Sequence, residues 1–297
     1  MLHVLVTVGA QPHDLDADLL HRIGFAAERA GARIAAEARP GAIAAEWRFD
    51  GAAAPVLAAA RAAAGSARVD INAVPADGRR KKLLVADMDS TIIGCECVDE
   101  LADMAGLKPR VAAITERAMK GEIDFARALK ERVTLLTGLP VAALARVYAE
   151  RVRLNAGARA LVATMRAHGA RTILVSGGFT YFTERVARDA GFDAHQANVL
   201  LDDGKVLTGA VADPILGREA KRDALDRAAA AYHIAPSETL AVGDGANDLA
   251  MIAHAGLGVA YRAKPAVAAA AAARIDHADL TALLYLQGYR EDEIIRA

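Results

Sequence analysis

The sequence is poor in cysteine and in aromatic residues. It has two cysteines, Cys95 and Cys97, in 297 residues, and aromatic residues make up 4% of the chain. Their C-x-C spacing is neither the C-x-x-C of a redox site nor the two-pair pattern of a structural zinc site, which favours two reduced thiols at the start of a helix. Redox or metal chemistry at this pair is the lesser alternative. With few aromatic rings, Ala, Val, Leu and Ile must fill the core of this 54% apolar chain.

The chain also lacks an excess of charge and any long apolar run. Its formal net charge is −1, whereas proteins that hold nucleic acid or anionic membranes by bulk electrostatics are strongly basic, so neither partner is expected. A membrane span needs roughly 20 apolar residues, and the nearest candidate is the short run at 266–273. The amino terminus lacks the basic region and cleavage site of a signal peptide. We expect a soluble, cytoplasmic protein.

The most informative stretch is an apolar run that ends in two aspartates. Residues 83–86 have the pattern of a buried parallel strand, and Asp87 and Asp89 follow directly. Residues two apart in an extended chain point the same way, so both carboxylates address one crevice at the carboxyl end of the strand. Open α/β sheets bind ligands in this crevice. A strand cap followed by a solvated turn is the alternative for a lone Asp-x-Asp.

The length predicts about two domains. Residues 1–75 show the element order βαββαβ of a split βαβ sandwich, and a turn-rich basic linker follows at residues 76–82. By this element order, the first domain resembles ACT-type regulatory domains.

The remainder of the chain, residues 83–297, has a helical insertion and a run of βα units. From about residue 96 to 154 the pattern is helical with glycine-containing breaks, which predicts a small bundle placed over the first strand as a lid. The βα alternation then continues to the end, interrupted by a predicted hairpin at 197–211. The fold class is therefore α/β, with a doubly wound, Rossmann-like parallel sheet and an inserted helical cap, preceded by a small α+β domain.

Three predicted strand ends and one helix carry polar groups that suit phosphate and a metal ion. These residues are Asp87, Asp89, Ser176, Gly177, Gly178, Lys221, Asp244, Asn247 and Asp248. Converging aspartates repel one another unless a hard cation is present, and Mg²⁺ is bound by one or two carboxylates together with substrate phosphate. Glycine amides and a lysine bind phosphoryl oxygens. Singly, each residue also has a structural explanation, such as a helix cap or a solvated lysine.

These residues resemble the four motifs of the haloacid dehalogenase-like phosphatases. The motifs lie, in family order, at residues 87–91, at 176–178, at Lys221 and at 243–248. Residues 96–100, 119–125 and 129–133 are similar to the corresponding stretches of the phosphoserine phosphatase family within that superfamily. The resemblance covers residues 83 to about 285, and no departure falls on a motif position.

The resemblance implies a role for each motif residue. Asp87 is the nucleophile that forms an aspartyl-phosphate, and Asp89 protonates the leaving seryl oxygen and then activates water. Mg²⁺ is held by Asp87, by the backbone carbonyl of Asp89 and by Asp244, with Asp248 in support. The phosphoryl oxygens are held by a further set: Ser176, the Gly177 amide and Lys221, with Gly178 and Asn247 beside them.

The cap is expected to recognise the rest of the substrate. Phosphoserine carries an ammonium and a carboxylate, which Glu96 and Arg132 match in charge. Met119 and Phe125 are expected as apolar cap residues that close over the site. The alternatives are a solvated surface charge for Arg132 and core packing for Met119 and Phe125.

The resemblance thus implies Mg²⁺-dependent hydrolysis of O-phospho-L-serine, the last step of L-serine biosynthesis. A related phosphatase or phosphotransferase for another small phosphorylated metabolite is the first alternative, because only the cap discriminates. A non-catalytic sensor of amino acid or phosphate is the second, although both aspartates of the first motif are present. For residues 1–75, serine binding and formation of a homodimer both stay open.

Overall fold

The structure is a computed structural model that describes residues 1–119 and 122–296. The side chains of Met119 and Arg218 lie outside the described part. The predicted role of the Met119 side chain therefore lies outside the described residues, as do Lys120 and Gly121. Within the described residues, no helix is both long enough and apolar enough to cross a membrane.

The first seventy-five residues form an antiparallel sheet with two helices on one face. The elements are β1 (Leu2–Gly9), α1 (Ala17–Arg29), β2 (Arg33–Gly41), β3 (Ala44–Asp50), α2 (Ala53–Ala64) and β4 (Val69–Pro75). The strand order is β2-β3-β1-β4, and the element order is the predicted βαββαβ. Helix α1 begins after Asp16, whose carboxylate caps the Leu19 N–H at 2.7 Å. Leu5, Ile23 and Trp47 lie in the core between sheet and helices.

The second part of the chain has a six-stranded parallel sheet with the order β12-β11-β10-β5-β6-β7. Its elements are β5 (Leu83–Asp87), α3 (Cys97–Met104), α4 (Lys108–Met119), α5 (Phe125–Thr134), α6 (Ala142–Arg151), α7 (Ala158–Ala167), β6 (Arg171–Phe179), α8 (Thr180–Ala190), β7 (Ala194–Asn198), β8 (Leu200–Asp202), β9 (Leu207–Val211), α9 (Arg218–Ala231), β10 (Thr239–Gly243), α10 (Leu249–His254), β11 (Leu257–Tyr261), α11 (Pro265–Ala270), β12 (Ala273–Ile275) and α12 (Ala282–Leu286). Strands β5 and β10 are central and fully buried, which explains their continuous apolar sequence.

Helices α3 to α6 form the inserted cap, which joins the sheet domain through two crossing segments. Ile93 and Leu154 form an antiparallel bridge there, and the Gly94 N–H donates to the Arg153 carbonyl at 3.1 Å. At its other side the cap contacts the β8–β9 hairpin through three backbone hydrogen bonds. These bonds, each 2.9 Å long, run from Gly138 N to Leu207 O, from Leu207 N to Leu139 O and from Val141 N to Lys205 O. The cap is therefore held along two edges.

Side chains of β4 dock the first domain on the edge of the parallel sheet. Asp70 accepts hydrogen bonds from the peptide N–H groups of three successive residues after β12, namely Asp276, His277 and Ala278. Asn72 pairs with the backbone of Arg274, as donor to its carbonyl and as acceptor from its N–H, both at 2.9 Å. Side chains of β4 thus make the hydrogen bonds to the backbone of β12 and the residues after it that a neighbouring strand would otherwise make.

The segment predicted as a basic linker is also in contact with the folded domains. The Arg79 side chain is largely buried and forms an ion pair with Glu46 of β3 at 2.9 Å. Its Nε donates to the Leu286 carbonyl at 3.1 Å, and Arg80 pairs with Glu293. The basic residues of this segment thus bind specific partners on both domains.

Candidate active site

The strand β5 ends in Asp87, and the chain then turns sharply through Met88–Ile92. Asp87 is buried with 4% of its surface exposed. Ser90 has a left-handed backbone conformation with φ of 57°. Its N–H donates to the Cys95 carbonyl at 3.2 Å and its hydroxyl to Glu96 Oε1 at 2.7 Å. The turn therefore brings Asp87, Asp89 and Glu96 to one side of the sheet.

Three buried or half-buried carboxylates converge beyond β5 and β10. Asp87, Asp244 and Asp248 each place an oxygen within 4.8 Å of the other two. Burial, followed by the nearby Asp248 carboxylate, raises the pKa of Asp87 well above its usual value. The same two causes raise the pKa of Asp244 to about 6. A set of oxygen donors with excess negative charge suits a hard divalent cation.

Among the described residues, Lys221 is the one cationic side chain in direct contact with these carboxylates. Its Nζ is buried and donates to Asp87 Oδ1 and, at 2.5 Å, to Asp248 Oδ1. Burial alone lowers the pKa of Lys221, but the Asp248 and Asp87 carboxylates outweigh this effect and the net pKa is raised. Lys221 is thus a fixed positive charge at the centre of the site.

Asp248 is held by the turn that it helps to shape. Its Oδ2 accepts the N–H of Asp244 at 3.2 Å and that of Gly245 at 3.0 Å. A Cβ on Gly243 would lie 2.4 Å from the Asp248 carboxyl carbon, so only glycine fits there. Asn247 is half-buried and packs against Gly245. A Cβ added to Gly245 would lie 2.3 Å from the side-chain amide oxygen of Asn247.

Asp89 is linked to the second motif. Its Oδ2 accepts a hydrogen bond from the Ser176 hydroxyl at 3.0 Å, and its Oδ1 accepts the Cys97 N–H at 2.9 Å. Burial raises the pKa of Asp89 above its usual range. A raised pKa favours the protonated form that a general acid requires.

The second motif lies on a strand that runs further than predicted. The sequence analysis places Ser176, Gly177 and Gly178 at a predicted strand end, but β6 continues to Phe179, with an irregular register against β7 between Val175 and Phe179. The Gly178 N–H donates to the Ser176 hydroxyl at 2.8 Å, which closes a tight turn within the strand end. The glycines therefore form a bulge that carries Ser176 into the site.

Phe125 brings the cap into contact with this bulge. A Cβ added to Gly177 would lie 2.9 Å from Cζ of Phe125, and one added to Gly217 would lie 3.6 Å from Cδ1. The ring thus packs over both glycines. The structure places Phe125 against these glycines, and its closure over a bound substrate stays a prediction.

Glu96 and Arg132 are the two charged cap residues that the sequence singled out, and the charge of Asp89 affects the pKa of both. Desolvation by surrounding protein and then the Asp89 carboxylate raise the pKa of Glu96 to about 7, although its outer edge is open to solvent. Desolvation lowers the pKa of the half-buried Arg132, an effect opposed by Asp99 and Glu96. Opposite charges therefore lie together on the cap side of the site.

Two residues of the site have no role in the sequence-based assignment. The buried Thr91 hydroxyl donates to Asp244 Oδ1 at 3.4 Å. The buried Asn198 donates to the Gly177 carbonyl at 2.9 Å. Asn198 ends β7 at the edge of the sheet where Asp87 ends β5, whereas the sequence analysis included it in the predicted hairpin at 197–211.

Comparisons with known proteins agree with this geometry. A family model described as haloacid dehalogenase-like hydrolase matches residues 84–253. A phosphoserine phosphatase of Polaromonas sp. (strain JS666 / ATCC BAA-500) is 48% identical over 210 residues, covering 69% of this chain and 89% of that protein.

Two solved structures extend the comparison. A probable phosphoserine phosphatase from Vibrio cholerae, in unliganded form, aligns with a TM-score of 0.81 and 33% identity, over 98% of this chain and 88% of that one. A structure described as a phospho-aspartyl intermediate analogue of phosphoserine phosphatase aligns with a TM-score of 0.64 and 37% identity, over 69% of this chain and 98% of that one.

Proposed function

Because the chain belongs to the haloacid dehalogenase-like hydrolases and, within them, to the phosphoserine phosphatases, we propose that it hydrolyses O-phospho-L-serine to L-serine and phosphate. The observation that carries the proposal is the convergence of Asp87, Asp89 and Lys221 beneath a cap that bears Glu96 and Arg132. We assign the reaction to the cytoplasm, as the last step of L-serine biosynthesis.

Asp87 is the proposed nucleophile. One of its oxygens attacks phosphorus, the bond from phosphorus to the seryl oxygen breaks, and Asp89 gives its proton to that oxygen. Asp89 then takes a proton from water, which attacks the aspartyl-phosphate and regenerates Asp87 as phosphate leaves. Lys221 bonds one oxygen of Asp87 and so fixes the orientation of the carboxylate. Ser176, the Gly177 amide and Lys221 are proposed to hold phosphoryl oxygens, with Asn247 beside them and Gly178 in support.

Mg²⁺ is the proposed cofactor. Its proposed ligands are Asp87, the Asp89 backbone carbonyl and Asp244. Asp248 is a supporting residue, because its two oxygens already accept hydrogen bonds from Lys221 and from backbone amides. When bound, the ion would offset the negative charge of the carboxylates and of the phosphoryl group.

The substrate's amino-acid part is assigned to the cap. Arg132 would bind the carboxylate and Glu96 the ammonium, and Phe125 would exclude water above the phosphate-binding bulge. Because the raised pKa of Glu96 reflects its desolvated, acidic surroundings, a substrate ammonium that enters there would stabilise the ionised form.

Residues 1–75 are proposed as an ACT-like regulatory domain and 76–82 as its connection to the phosphatase domain of residues 83–297, with the cap at about 96–154. The proposed role of the first domain is to bind serine or to form a homodimer. Its extensive contacts with the edge of the parallel sheet give a route by which a ligand would affect the second domain.

Steady-state phosphate release from L-phosphoserine, phosphothreonine, sugar phosphates and p-nitrophenyl phosphate, with and without Mg²⁺, tests the function. We expect L-phosphoserine to have the highest kcat/KM and every activity to require the metal. Arg132→Ala should raise KM for phosphoserine about 100-fold, because a charge-assisted bidentate contact is lost, and leave KM for the aryl ester within about twofold.

The matched control is Arg127→Ala, which removes a solvated arginine of the same helix that pairs with Glu131. Its KM values should stay at those of the parent. Preference for another ester would refute the substrate assignment, and equal effects of Arg132→Ala on both substrates would remove its recognition role. The same assay with added L-serine, together with sedimentation, tests the role of residues 1–75.

A further inference from the structure

Asn198 is a buried polar residue that joins two separate parts of the site. It is 2% exposed at the end of β7. Its Nδ2 donates to the Gly177 carbonyl at 2.9 Å and more weakly to the Leu216 carbonyl at 3.4 Å. Its Oδ1 accepts the Leu216 N–H at 2.7 Å. One carboxamide therefore ties the bulge of β6 to the segment that leads into α9.

Each of these two parts carries groups that act on the phosphoryl group under the proposed function. The carbonyl of Gly177 and the N–H of Gly178 belong to one planar trans peptide, so fixing the carbonyl fixes the direction of the N–H. That N–H donates to the Ser176 hydroxyl, which donates to Asp89. On the other side, Lys221 lies near the start of α9, shortly after Leu216.

We propose that Asn198 is a positioning residue for phosphoryl transfer, setting the phosphate-binding bulge and Lys221 at a fixed separation. Only a carboxamide offers a donor and an acceptor on one rigid plane of this length. A carboxylate at the same place accepts but does not donate, and it would face the Gly177 carbonyl with like charge. Its hydrogen bonds go to Gly177 and Leu216, and it acts through these residues. This inference rests on the proposed function.

The chain contains a matched control for the loss of a buried carboxamide. Asn72 is fully buried and makes the same pair of bonds, to the carbonyl and from the N–H of Arg274, both at 2.9 Å. It also accepts a hydrogen bond from Arg61 at 3.2 Å. It lies at the contact between the two domains and is not part of the catalytic machinery. Asn72→Asp therefore reports what an isosteric change of this kind costs in stability alone.

The test compares full-length Asn198→Asp, Asn72→Asp and the parent, with Mg²⁺ present. Four quantities are measured: kcat and KM on phosphoserine and p-nitrophenyl phosphate, inhibition by orthovanadate, and the melting temperature. We expect Asn198→Asp to lower kcat by about 10- to 100-fold on both esters, because small misplacements of positioned groups have effects of this size. Vanadate inhibition should weaken by a similar factor, while KM changes by less than about threefold. Asn72→Asp should lower the melting temperature and keep kcat within about twofold of the parent.

A folded Asn198→Asp protein whose kcat and vanadate inhibition match those of Asn72→Asp would overturn the positioning role. If Asn198→Asp does not fold, Asn198→Ser, which is smaller and no longer spans both loops, is judged by the same criteria. Failure of the proposed substrate shows differently, as a parent protein that hydrolyses p-nitrophenyl phosphate but not phosphoserine. The effect of Asn198 is then measured on the aryl ester.

Discussion

Asp70 at the domain contact and Asp87 in the cleft are both buried carboxylates, with 3% and 4% of their surface exposed. Their surroundings differ. Asp70 accepts hydrogen bonds from three consecutive peptide N–H groups. Asp87 is bonded by Lys221 but also shares its cleft with Asp244 and Asp248. The first carboxylate is neutralised by fixed dipoles of the fold, whereas the second lies among charges of its own sign.

The pKa shifts of the two residues reflect the same difference. Burial raises the pKa of Asp70, and the amides of Ala278, Asp276 and His277 oppose that rise. For Asp87 the carboxylate of Asp248 adds to the effect of burial, and Lys221 only partly opposes it. A structural carboxylate is thus satisfied within the protein, while the cleft has an excess of negative charge that a cation would neutralise.

The largest expected effect comes from removing the charge of Asp87. Asp87→Asn should lower kcat by about 10⁴-fold or more, because the nucleophile is lost. The melting temperature of the metal-free protein should not fall, since one of the mutually repelling charges is removed. Phosphate release and thermal unfolding measure the two effects. A large loss of stability would show that Asp87 is a structural residue like Asp70.

The reciprocal change at Asp70 should affect stability and spare catalysis. Asp70→Ala leaves three peptide N–H groups without their acceptor at a buried contact, which we expect to lower the free energy of unfolding by about 3 kcal/mol. Turnover of the folded protein should stay within about twofold of the parent. Urea unfolding and phosphate release provide the readouts, with Asp70→Asn as the control that keeps one acceptor oxygen. A loss of turnover in the folded Asp70→Ala protein would contradict the separation of roles.

The smallest predicted effect is the pH dependence of stability. The pKa of Asp244 is raised to about 6 and that of Glu96 to about 7. At any pH between the ordinary pKa of each group and its raised pKa, the folded state binds more protons than the unfolded state. The free energy of unfolding from these groups therefore falls as pH rises from about 4 to about 7. Mg²⁺ should reverse this loss and raise the melting temperature by about 3 °C at pH 8 but by less than about 1 °C at pH 5.

Asp244→Asn is the control for the metal effect, because it removes a proposed ligand. The difference that Mg²⁺ makes between pH 8 and pH 5 should largely disappear in this variant. An equal rise in melting temperature at both pH values in the parent would contradict the proposed link between the carboxylates and the metal.

Local pattern was sufficient to predict most of the sheet and the residues at its active edge. The apolar run before Asp87 and the Ser-Gly-Gly and Gly-Asp-Gly turns place polar groups at ends of parallel strands, and the topology brings Asp87, Ser176 and Asp244 to one edge. The roles assigned to these residues come from the family resemblance and not from the local pattern. The catalytic, substrate and metal assignments remain predictions.

Other contacts depend on segments that are distant in sequence. Asn72 and Arg274 bond to each other across about two hundred residues, and Arg79 of the predicted linker bonds to Leu286. Asn198 bonds to Gly177 where β6 continues to Phe179. Such pairs leave no periodicity or local motif in the sequence, so only the three-dimensional structure reveals them.

The β8–β9 hairpin limits how a cap, and with it a substrate preference, can be transferred between relatives. Its backbone bonds to residues 138, 139 and 141 make it a second support for the cap, although it is encoded after two further strands of the sheet. The region that carries Glu96 and Arg132 therefore cannot be transferred as an independent unit. A chimaera that transplants the helices α3 to α6 must bring its own β8–β9 hairpin, and the two segments are expected to diverge together.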